Sequence, residues 1–276
     1  MSQLVTRLKN LLRKPIRVAF GRRTLTIRGE GGGTLTFPPA EYPSLLWGIR
    51  AFEPGFLAEW RTLLQPGEAI LDVGANIGLT VQRFCSLLSD RCSVIAFEPS
   101  QRNFDLLVKN IASISNATAF PVKAAVCDLD GEVEFADNIE HGGLSRLASL
   151  DAYKAKNEAM WSSSAMVKVP ALRIDSFLVR EHPEFAPSFL KIDVEGAAGD
   201  VLAGAGGTLA KHHPLIHCSF HFALEENAVI AALADHGYQG LRFRGERPEL
   251  CPPTQSRGYF IHPTDPRFAR LGPVQA

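Results

Sequence analysis

Short apolar runs alternate along this chain with segments of helical hydrophobic spacing. The first clear run is residues 69–73, and residues 79–88 follow it at helical spacing after a turn that contains two glycines. Residues 94–97 and 189–192 are further apolar runs without polar alternation, which is typical of strands buried on both faces of a parallel sheet. The alternation predicts an α/β fold, a mostly parallel sheet with helices on both faces.

Residues 1–64 form an N-terminal elaboration in this interpretation, and residues 65–276 form the main domain. The first 14 residues place leucines on one helical face among lysines and arginines, so they pack on the domain or contact a membrane surface weakly. Residues 17–37 alternate like two paired strands, with Gly29 to Gly33 as the turn. Further along, Asp130-Gly131 predicts a hairpin turn, and residues 138–165 form a long polar insertion, which is interpreted as a lid over the acceptor against the alternative of a passive insertion.

Acidic residues end two of the predicted strands. Asp72 closes the first run and leads into a turn with Gly74 and Gly78, and Glu98 closes the next. Glycines in a strand–turn–helix connection let a ligand lie against the backbone. A carboxylate at the position of Glu98 would accept hydrogen bonds from both ribose hydroxyls of an adenosine. The pair predicts an adenosine-cofactor site, against the alternative of a crossover without a ligand.

The turn residues discriminate between adenosine cofactors. A dinucleotide fingerprint needs a glycine where this chain has Asn76, and a phosphate-binding loop needs Lys-Ser or Lys-Thr after its last glycine. An NAD-dependent oxidoreductase is therefore the weaker alternative. Residues 72–78, Asp-Val-Gly-Ala-Asn-Ile-Gly, instead resemble motif I of class I methyltransferases, which bind S-adenosylmethionine.

A third motif adds a more specific resemblance. Residues 189–196, Phe-Leu-Lys-Ile-Asp-Val-Glu-Gly, together with motif I, Phe97-Glu98-Pro99-Ser100 and Asn110, resemble the FkbM-type family of S-adenosylmethionine-dependent methyltransferases. The resemblance implies a Rossmann-like class I fold with a seven-stranded sheet whose last strand is antiparallel and inserted. It also implies O-methylation of a hydroxyl on a sugar, glycan or natural product. The implied cofactor-binding residues are Asp72, Gly74, Ala75, Asn76, Gly78, Glu98, Pro99, Ala125 and Asp193.

Methyl transfer to an alcohol needs a base near the acceptor, because a neutral hydroxyl is a weak nucleophile. Asp193 and His221 are the catalytic candidates, since both fall at carboxyl ends of predicted strands, and His221 is preferred as the base because Asp193 could hold the cofactor's ammonium group. A histidine in this position can also be purely structural, and Glu195 can simply cap the next helix. A metal held by His217, His221 and Asp193 is considered and not assigned. Family members carry acids where this chain has Ala198 and Ser219, so a cofactor-binding protein without catalysis is a further alternative.

Composition limits the partners of the chain. Lysine plus arginine and aspartate plus glutamate number 29 each, and no run of basic and aromatic residues predicts nucleic-acid binding. The five cysteines form no Cys-x-x-Cys pair and are expected to be buried thiols in a reducing compartment. With no predicted signal peptide or membrane span, a cytoplasmic protein that acts on a small-molecule or glycan acceptor is expected. The sequence leaves the oligomeric state open.

Overall fold

The computed structural model describes residues 15–16, 18–21, 23–47, 54–88, 91–114, 118–138, 146–147, 164–221 and 223–271. Its strands are β1 Leu25–Arg28, β2 Thr34–Phe37, β3 Ala69–Val73, β4 Ser93–Phe97, β5 Thr118–Val122, β6 Ala125–Val126, β7 Gly131–Asn138, β8 Arg146–Leu147, β9 Ser164–Leu172, β10 Phe189–Ile192, β11 Leu215–Cys218, β12 Gln239–Arg244, β13 Arg247–Cys251 and β14 Tyr259–Ile261. Its α-helices are α1 Pro54–Leu63, α2 Leu79–Leu87, α3 Gln101–Ile111, α4 Ile174–Glu181, α5 Ala198–Ala203, α6 Gly206–His212 and α7 Ala223–Asp235.

The main sheet has the strand order β13-β12-β14-β11-β10-β3-β4-β5. Five neighbouring strands, from β11 to β5, run parallel, and β14 lies antiparallel between β11 and β12. The predicted α/β class and the inserted antiparallel strand are therefore confirmed. The predicted number of seven strands is wrong, because β13 adds an eighth. Gly245, with a φ of 63°, turns the chain after Arg244 so that β13 pairs back on β12.

Helices cover both faces of the main sheet, because successive strand residues point to opposite sides. Leu71, Ile95 and Leu190 pack under α4, α5, α6 and α7. Their neighbours Ile70, Val94 and Phe189 pack with residues of α1, α2 and α3 on the other face. This arrangement buries the central strands on both sides and brings the carboxyl ends of β3, β4, β10 and β11 to a common edge of the sheet.

A second sheet, of order β6-β9-β7-β8, follows β5. The sequence predicts one strand over residues 117–126 and a hairpin at Asp130-Gly131, and both predictions are wrong. β5 stops at Val122, before the predicted end at residue 126. β6 pairs parallel with β9 and β7 pairs antiparallel with β9, so the turn at Asp130-Gly131 does not join two strands that pair with each other. Apart from β8 and the start of β9, the insertion at 138–165 lies outside the described residues, so its role as a lid stays a prediction.

The predicted N-terminal hairpin is present as β1 and β2, which pair antiparallel around a 3₁₀ turn at Glu30–Gly32. The side chain of Asn110 on α3 joins this hairpin to the rest of the chain. Its Oδ1 accepts a hydrogen bond from the Thr36 amide at 2.7 Å, and its Nδ2 donates to the carbonyls of Thr36 at 2.9 Å and Ile77 at 2.7 Å. Asn110 therefore ties β2 to the loop that follows β3. Residues 18–20 are helical, so the predicted strand pairing does not begin at residue 17.

The remaining sequence-based expectations concern the N-terminal segment, membrane-spanning helices and the cysteines. The basic amphipathic segment at 1–14 lies outside the described residues. Within the ranges that the structure describes, no helix is both long enough and apolar enough to cross a membrane. All five cysteines are buried, as predicted.

Candidate active site

The loop after β3 turns sharply because three of its residues have left-handed backbone angles. The φ angles are 80° at Gly74, 54° at Asn76 and 85° at Gly78. The amides of Gly74 and Ala75 both donate to the Phe97 carbonyl, at 3.1 and 2.9 Å, which fixes the loop against the end of β4. A Cβ atom added to Gly74 would lie 2.0 Å from the backbone oxygen of Asp193. Gly74 therefore permits the contact between this loop and the end of β10, and it shapes the loop without leaving room for a ligand at its own α-carbon.

Asp72 lies beneath this loop, fully buried. One of its carboxylate oxygens lies 3.0 Å from the ammonium of Lys191, and the other accepts a hydrogen bond from the Thr80 hydroxyl. Lys191, itself buried, also donates to the Gly74 carbonyl at 2.9 Å and lies 3.7 Å from the carboxylate of Asp193. The structure therefore places Asp72 below the site, where it holds Lys191 and has no face open to a ligand.

Glu98, at the end of β4, is buried next to the same loop. Its carboxylate accepts hydrogen bonds from the backbone amides of Asn76 and Ser100, both at 2.9 Å. Burial raises the pKa of Glu98 to about 7, although these amides and the Asn103 side chain favour the charged form. Because an ionised carboxylate can accept about four hydrogen bonds and three donors already face it, the Glu98 carboxylate retains capacity for a ribose hydroxyl. The chemistry of Glu98 thus fits the ribose of an adenosine.

The other predicted cofactor residues lie around this loop and the neighbouring strand ends. Pro99 stands half-buried at the start of α3. Ala125 is buried in β6 and packs in a small cluster with Ala197, against which Val194 also lies. The side-chain amide of Asn76 accepts a hydrogen bond from the Tyr42 hydroxyl, a contact from the N-terminal region that the sequence analysis did not identify.

Asp193, Glu195 and His221 meet beyond the ends of β10 and β11. The Nε2 atom of His221 lies 3.4 Å from a carboxylate oxygen of Asp193 and 3.4 Å from one of Glu195. A third carboxylate, that of Glu225 on α7, lies 3.5 Å from the His221 Nδ1. The side chains of Asp193 and His221 are 29% and 22% exposed, so this cluster is accessible from the sheet edge. The structure therefore brings together the two predicted catalytic residues.

The charges around His221 determine its protonation. Burial lowers its pKa, but the hydrogen bonds to Asp193 and Glu225 and the charge of Glu195 outweigh burial and raise the pKa to about 10. At neutral pH the ring is an imidazolium without a free lone pair, which disfavours the general-base role that the sequence suggests. For Asp193, burial raises the pKa, whereas Lys191 and His221 lower it more strongly, so its net pKa lies below the usual range and the carboxylate is ionised.

His217 takes no part in this cluster. It lies inside β11, and its ring stacks on Tyr259 with centroids 4.3 Å apart. Burial lowers its pKa to about 3, so the ring is neutral. β11 ends at Cys218, so His221 stands in the following loop and not in the strand that contains His217. Within the part of the chain that the structure describes, no group of three histidine, cysteine or acidic side chains could hold a metal ion.

The sequence analysis did not identify two residues that contact the Asp193–His221 pair, Lys191 and Glu225. Lys191 sits within a fully buried four-residue strand, and a lysine inside such an apolar run is itself the signal of a buried ion pair. Glu225 belongs to the first turn of α7, and nothing in its local sequence distinguishes it from the neighbouring Glu226. Its burial depends on the packing of α7 on α5, which the sequence pattern did not show.

The strand order, the loop after β3 and the acids at the sheet edge are those expected of the class I S-adenosylmethionine-dependent methyltransferase fold. The sequence profile of the FkbM methyltransferase domain matches residues 72–239, more than half of the chain. The protein belongs to the FkbM methyltransferase family. This membership confirms the predicted family and indicates S-adenosylmethionine as the cofactor, in place of the NAD alternative.

The individual relatives have low sequence identity to this chain. The 2-O-methyltransferase NoeI of Sinorhizobium fredii (strain NBRC 101917 / NGR234) is 28% identical over 154 residues. The match covers 54% of this chain and 62% of NoeI, so the chain spans less than two thirds of that relative. An FkbM methyltransferase structure from Methylobacillus flagellatus KT aligns with a TM-score of 0.48 and 16% identity over 72% of this chain and 44% of that chain. TYW2 from M. jannaschii in complex with AdoMet aligns with a TM-score of 0.40 and 10% identity over 86% of this chain and 82% of that one.

Proposed function

We propose that this methyltransferase transfers the methyl group to a hydroxyl oxygen, on a sugar, a glycan or a natural-product alcohol. The observation that carries the proposal is the ionised carboxylate of Asp193, partly exposed at the sheet edge between Lys191 and His221. A fixed carboxylate at this position suits an acceptor that must lose a proton as it reacts. The likeness to NoeI, which is named as a 2-O-methyltransferase, supports an oxygen acceptor.

The residues at the strand ends divide the binding of the cofactor between them. In this proposal, Glu98 receives the ribose hydroxyls, and the backbone from Gly74 to Gly78 supports the rest of the cofactor, with Ala75 and Asn76 in the turn. Pro99 and Ala125 are also assigned to the cofactor, and Asp72 acts indirectly by holding Lys191. Asp193 can reach both the cofactor's ammonium group and the acceptor, so it is the one predicted residue assigned to both halves of the site.

Asp193 is the proton acceptor in the proposed reaction. When bound, S-adenosylmethionine supplies an electrophilic methyl group on a sulfonium. Asp193 would take the proton that the acceptor hydroxyl loses on methylation. His221, as an imidazolium, donates from Nε2 toward Asp193 and Glu195 and holds these carboxylates in place. Positioning and exclusion of water supply much of the remaining acceleration.

The test of this function has a binding step and a turnover step. Thermal shifts of the full chain with S-adenosylmethionine and with NAD should show stabilisation by the first alone. Release of S-adenosylhomocysteine is then followed with a panel of oligosaccharides, free sugars and alcohols, and with amines as a control class. Methylation of amines but not hydroxyls would contradict the oxygen acceptor. Binding without turnover on any of these would favour a protein that holds the cofactor without catalysis.

A further prediction concerns the Glu98 carboxyl group. Below neutral pH, cofactor binding should release a proton from it. Its pKa is about 7 in the free protein, and ribose hydroxyls donate to the ionised form, so binding shifts the carboxyl toward ionisation. The affinity should therefore fall as the pH drops below 7, by up to about tenfold per pH unit. Calorimetry at about pH 6 in two buffers of different ionisation enthalpy measures the released proton directly.

Glu98→Gln is the matched control for this linkage, because the amide keeps the shape of the side chain and cannot ionise. The variant should bind more weakly by about 1–3 kcal/mol and without proton release from this position. Equal proton release by the wild type and by Glu98→Gln would contradict the assignment of Glu98.

A further inference from the structure

Glu225 is a deeply buried acid beside the candidate active site. It stands in the first turn of α7, and its side chain is 1% exposed. A carboxylate at this depth needs donors, since an unpaired buried charge is strongly unfavourable. Its Oε2 accepts a hydrogen bond from the His221 amide at 2.8 Å, and its Oε1 accepts one from the Ala198 amide at 3.4 Å. Glu225 thus joins α7 both to the start of α5 and to the loop that carries His221.

The same carboxylate also faces the ring of His221. Its Oε2 lies 3.5 Å from Nδ1, whereas Asp193 and Glu195 each lie 3.4 Å from Nε2 on the opposite side. The imidazole therefore has acidic groups at both nitrogens, from α7 and from the loop after β10. Beyond them, Lys191 faces Asp193 from β10 at 3.7 Å. A ring with an acceptor at each nitrogen is stabilised with both nitrogens protonated.

Taking the proposed function as its basis, we propose that Glu225 is a positioning residue for methyl transfer. It fixes the backbone and the ring of His221, so that the Nε2–H group holds the carboxylate of Asp193 toward the acceptor. The buried carboxylate of Glu225 makes three contacts that support this role. They are with the His221 amide, the His221 ring and the Ala198 amide. Glu225 itself lies behind the histidine and has no exposed surface for a substrate.

The first measurement uses the unaltered protein. Long-range ¹H–¹⁵N NMR spectra distinguish a doubly protonated histidine ring from either neutral tautomer, and His221→Gln assigns the signal among the eight histidines. The ring of His221 should carry protons on both nitrogens at neutral pH, without cofactor or acceptor. A neutral ring at neutral pH would overturn the proposal, whatever the behaviour of any variant.

The second measurement compares Glu225→Gln with Glu226→Gln, which removes the neighbouring charge on a half-buried residue of the same helix turn. Loss of the Glu225 charge should lower the pKa of His221 by about one to three pH units, the usual effect of one opposite charge at this distance. Glu226→Gln should leave this pKa close to that of the wild type. An unchanged His221 pKa in folded Glu225→Gln would overturn the proposal.

Turnover and cofactor affinity complete the test. With an accepted hydroxyl substrate, Glu225→Gln should lower kcat by about tenfold or more and shift the pH profile of the rate, as loss of an orienting carboxylate does. Its affinity for S-adenosylmethionine should fall much less than kcat, because Glu98 and the loop after β3 are unaltered and only the contact of Asp193 with the cofactor's ammonium group depends on His221. An unaltered kcat and pH profile would count against positioning. Failure of the wild type to bind S-adenosylmethionine would refute the proposed function separately, since the NMR measurement needs neither cofactor nor turnover.

Discussion

Replacing Lys191 with methionine should lower the free energy of unfolding by about 3–5 kcal/mol, the usual effect of removing one partner of a buried ion pair. The ammonium of Lys191 lies 3.0 Å from the fully buried carboxylate of Asp72 and donates to the Gly74 carbonyl. Methionine has a similar length and an apolar end, so the substitution keeps the volume of the core and leaves a buried charge uncompensated. Urea unfolding followed by circular dichroism gives the change.

A double-mutant cycle separates the lost pair from lost packing. Asp72→Asn alone should also destabilise the protein, because Lys191 then loses the carboxylate at 3.0 Å and faces the more distant one of Asp193 at 3.7 Å. The double variant Asp72→Asn/Lys191→Met should lose much less than the sum of the two single variants, since both buried charges are gone. Simple additivity of the two losses would show that this ion pair is not what stabilises the strand edge.

Replacing Asp193 with asparagine should lower the rate of methyl transfer by about 10²–10⁴, the usual contribution of a positioned general base. The amide keeps the shape of the carboxylate but accepts no proton at neutral pH. The backbone of residue 193 is fixed independently, because its amide donates to the Val73 carbonyl at 2.9 Å. Steady-state rates with an accepted hydroxyl substrate, taken together with calorimetry of S-adenosylmethionine binding, distinguish loss of the base from loss of the cofactor's ammonium contact.

Glu195→Gln is the comparison for this variant. Glu195 faces the same Nε2 atom of His221 at the same 3.4 Å distance, and its side chain is more buried than that of Asp193. If Asp193 is the base, Glu195→Gln should retain far more activity than Asp193→Asn. Equal losses in the two variants would mean that the negative charge around His221 matters and that neither acid has a specific role as base.

The sequence was most informative where an apolar strand ends in an acid. Asp72, Glu98 and Asp193 each follow a run of buried residues, and parallel topology then places them at one edge of the sheet. The same rule does not predict how deeply each side chain is buried below that edge. Asp72 therefore seemed a ligand contact, although its carboxylate is fully buried under the loop and binds Lys191.

Residues whose role depends on packing between distant elements were not predictable. Glu225 looks like any acid in the first helical turn until α7 packs on α5 and on the loop at His221. The strand β9 contains a lysine and a proline and pairs with β7 in a second sheet, so its pattern lacked the continuous apolar run of the main-sheet strands. The raised pKa of His221 likewise depends on three acids from two distant parts of the chain, the loop after β10 and α7.

Asn110 makes two hydrogen bonds across the proposed domain division at residue 64 and a third within the main domain. Two of them reach Thr36 in the hairpin, and the third reaches the Ile77 carbonyl in the loop after β3. A chain cut at that division would leave the Oδ1 atom of a fully buried amide without this partner, next to the loop assigned to the cofactor. If the cofactor binds this loop as proposed, we expect hairpin docking and cofactor occupancy to be thermodynamically linked, so that a ligand which orders the loop also raises the population of molecules with the hairpin in place.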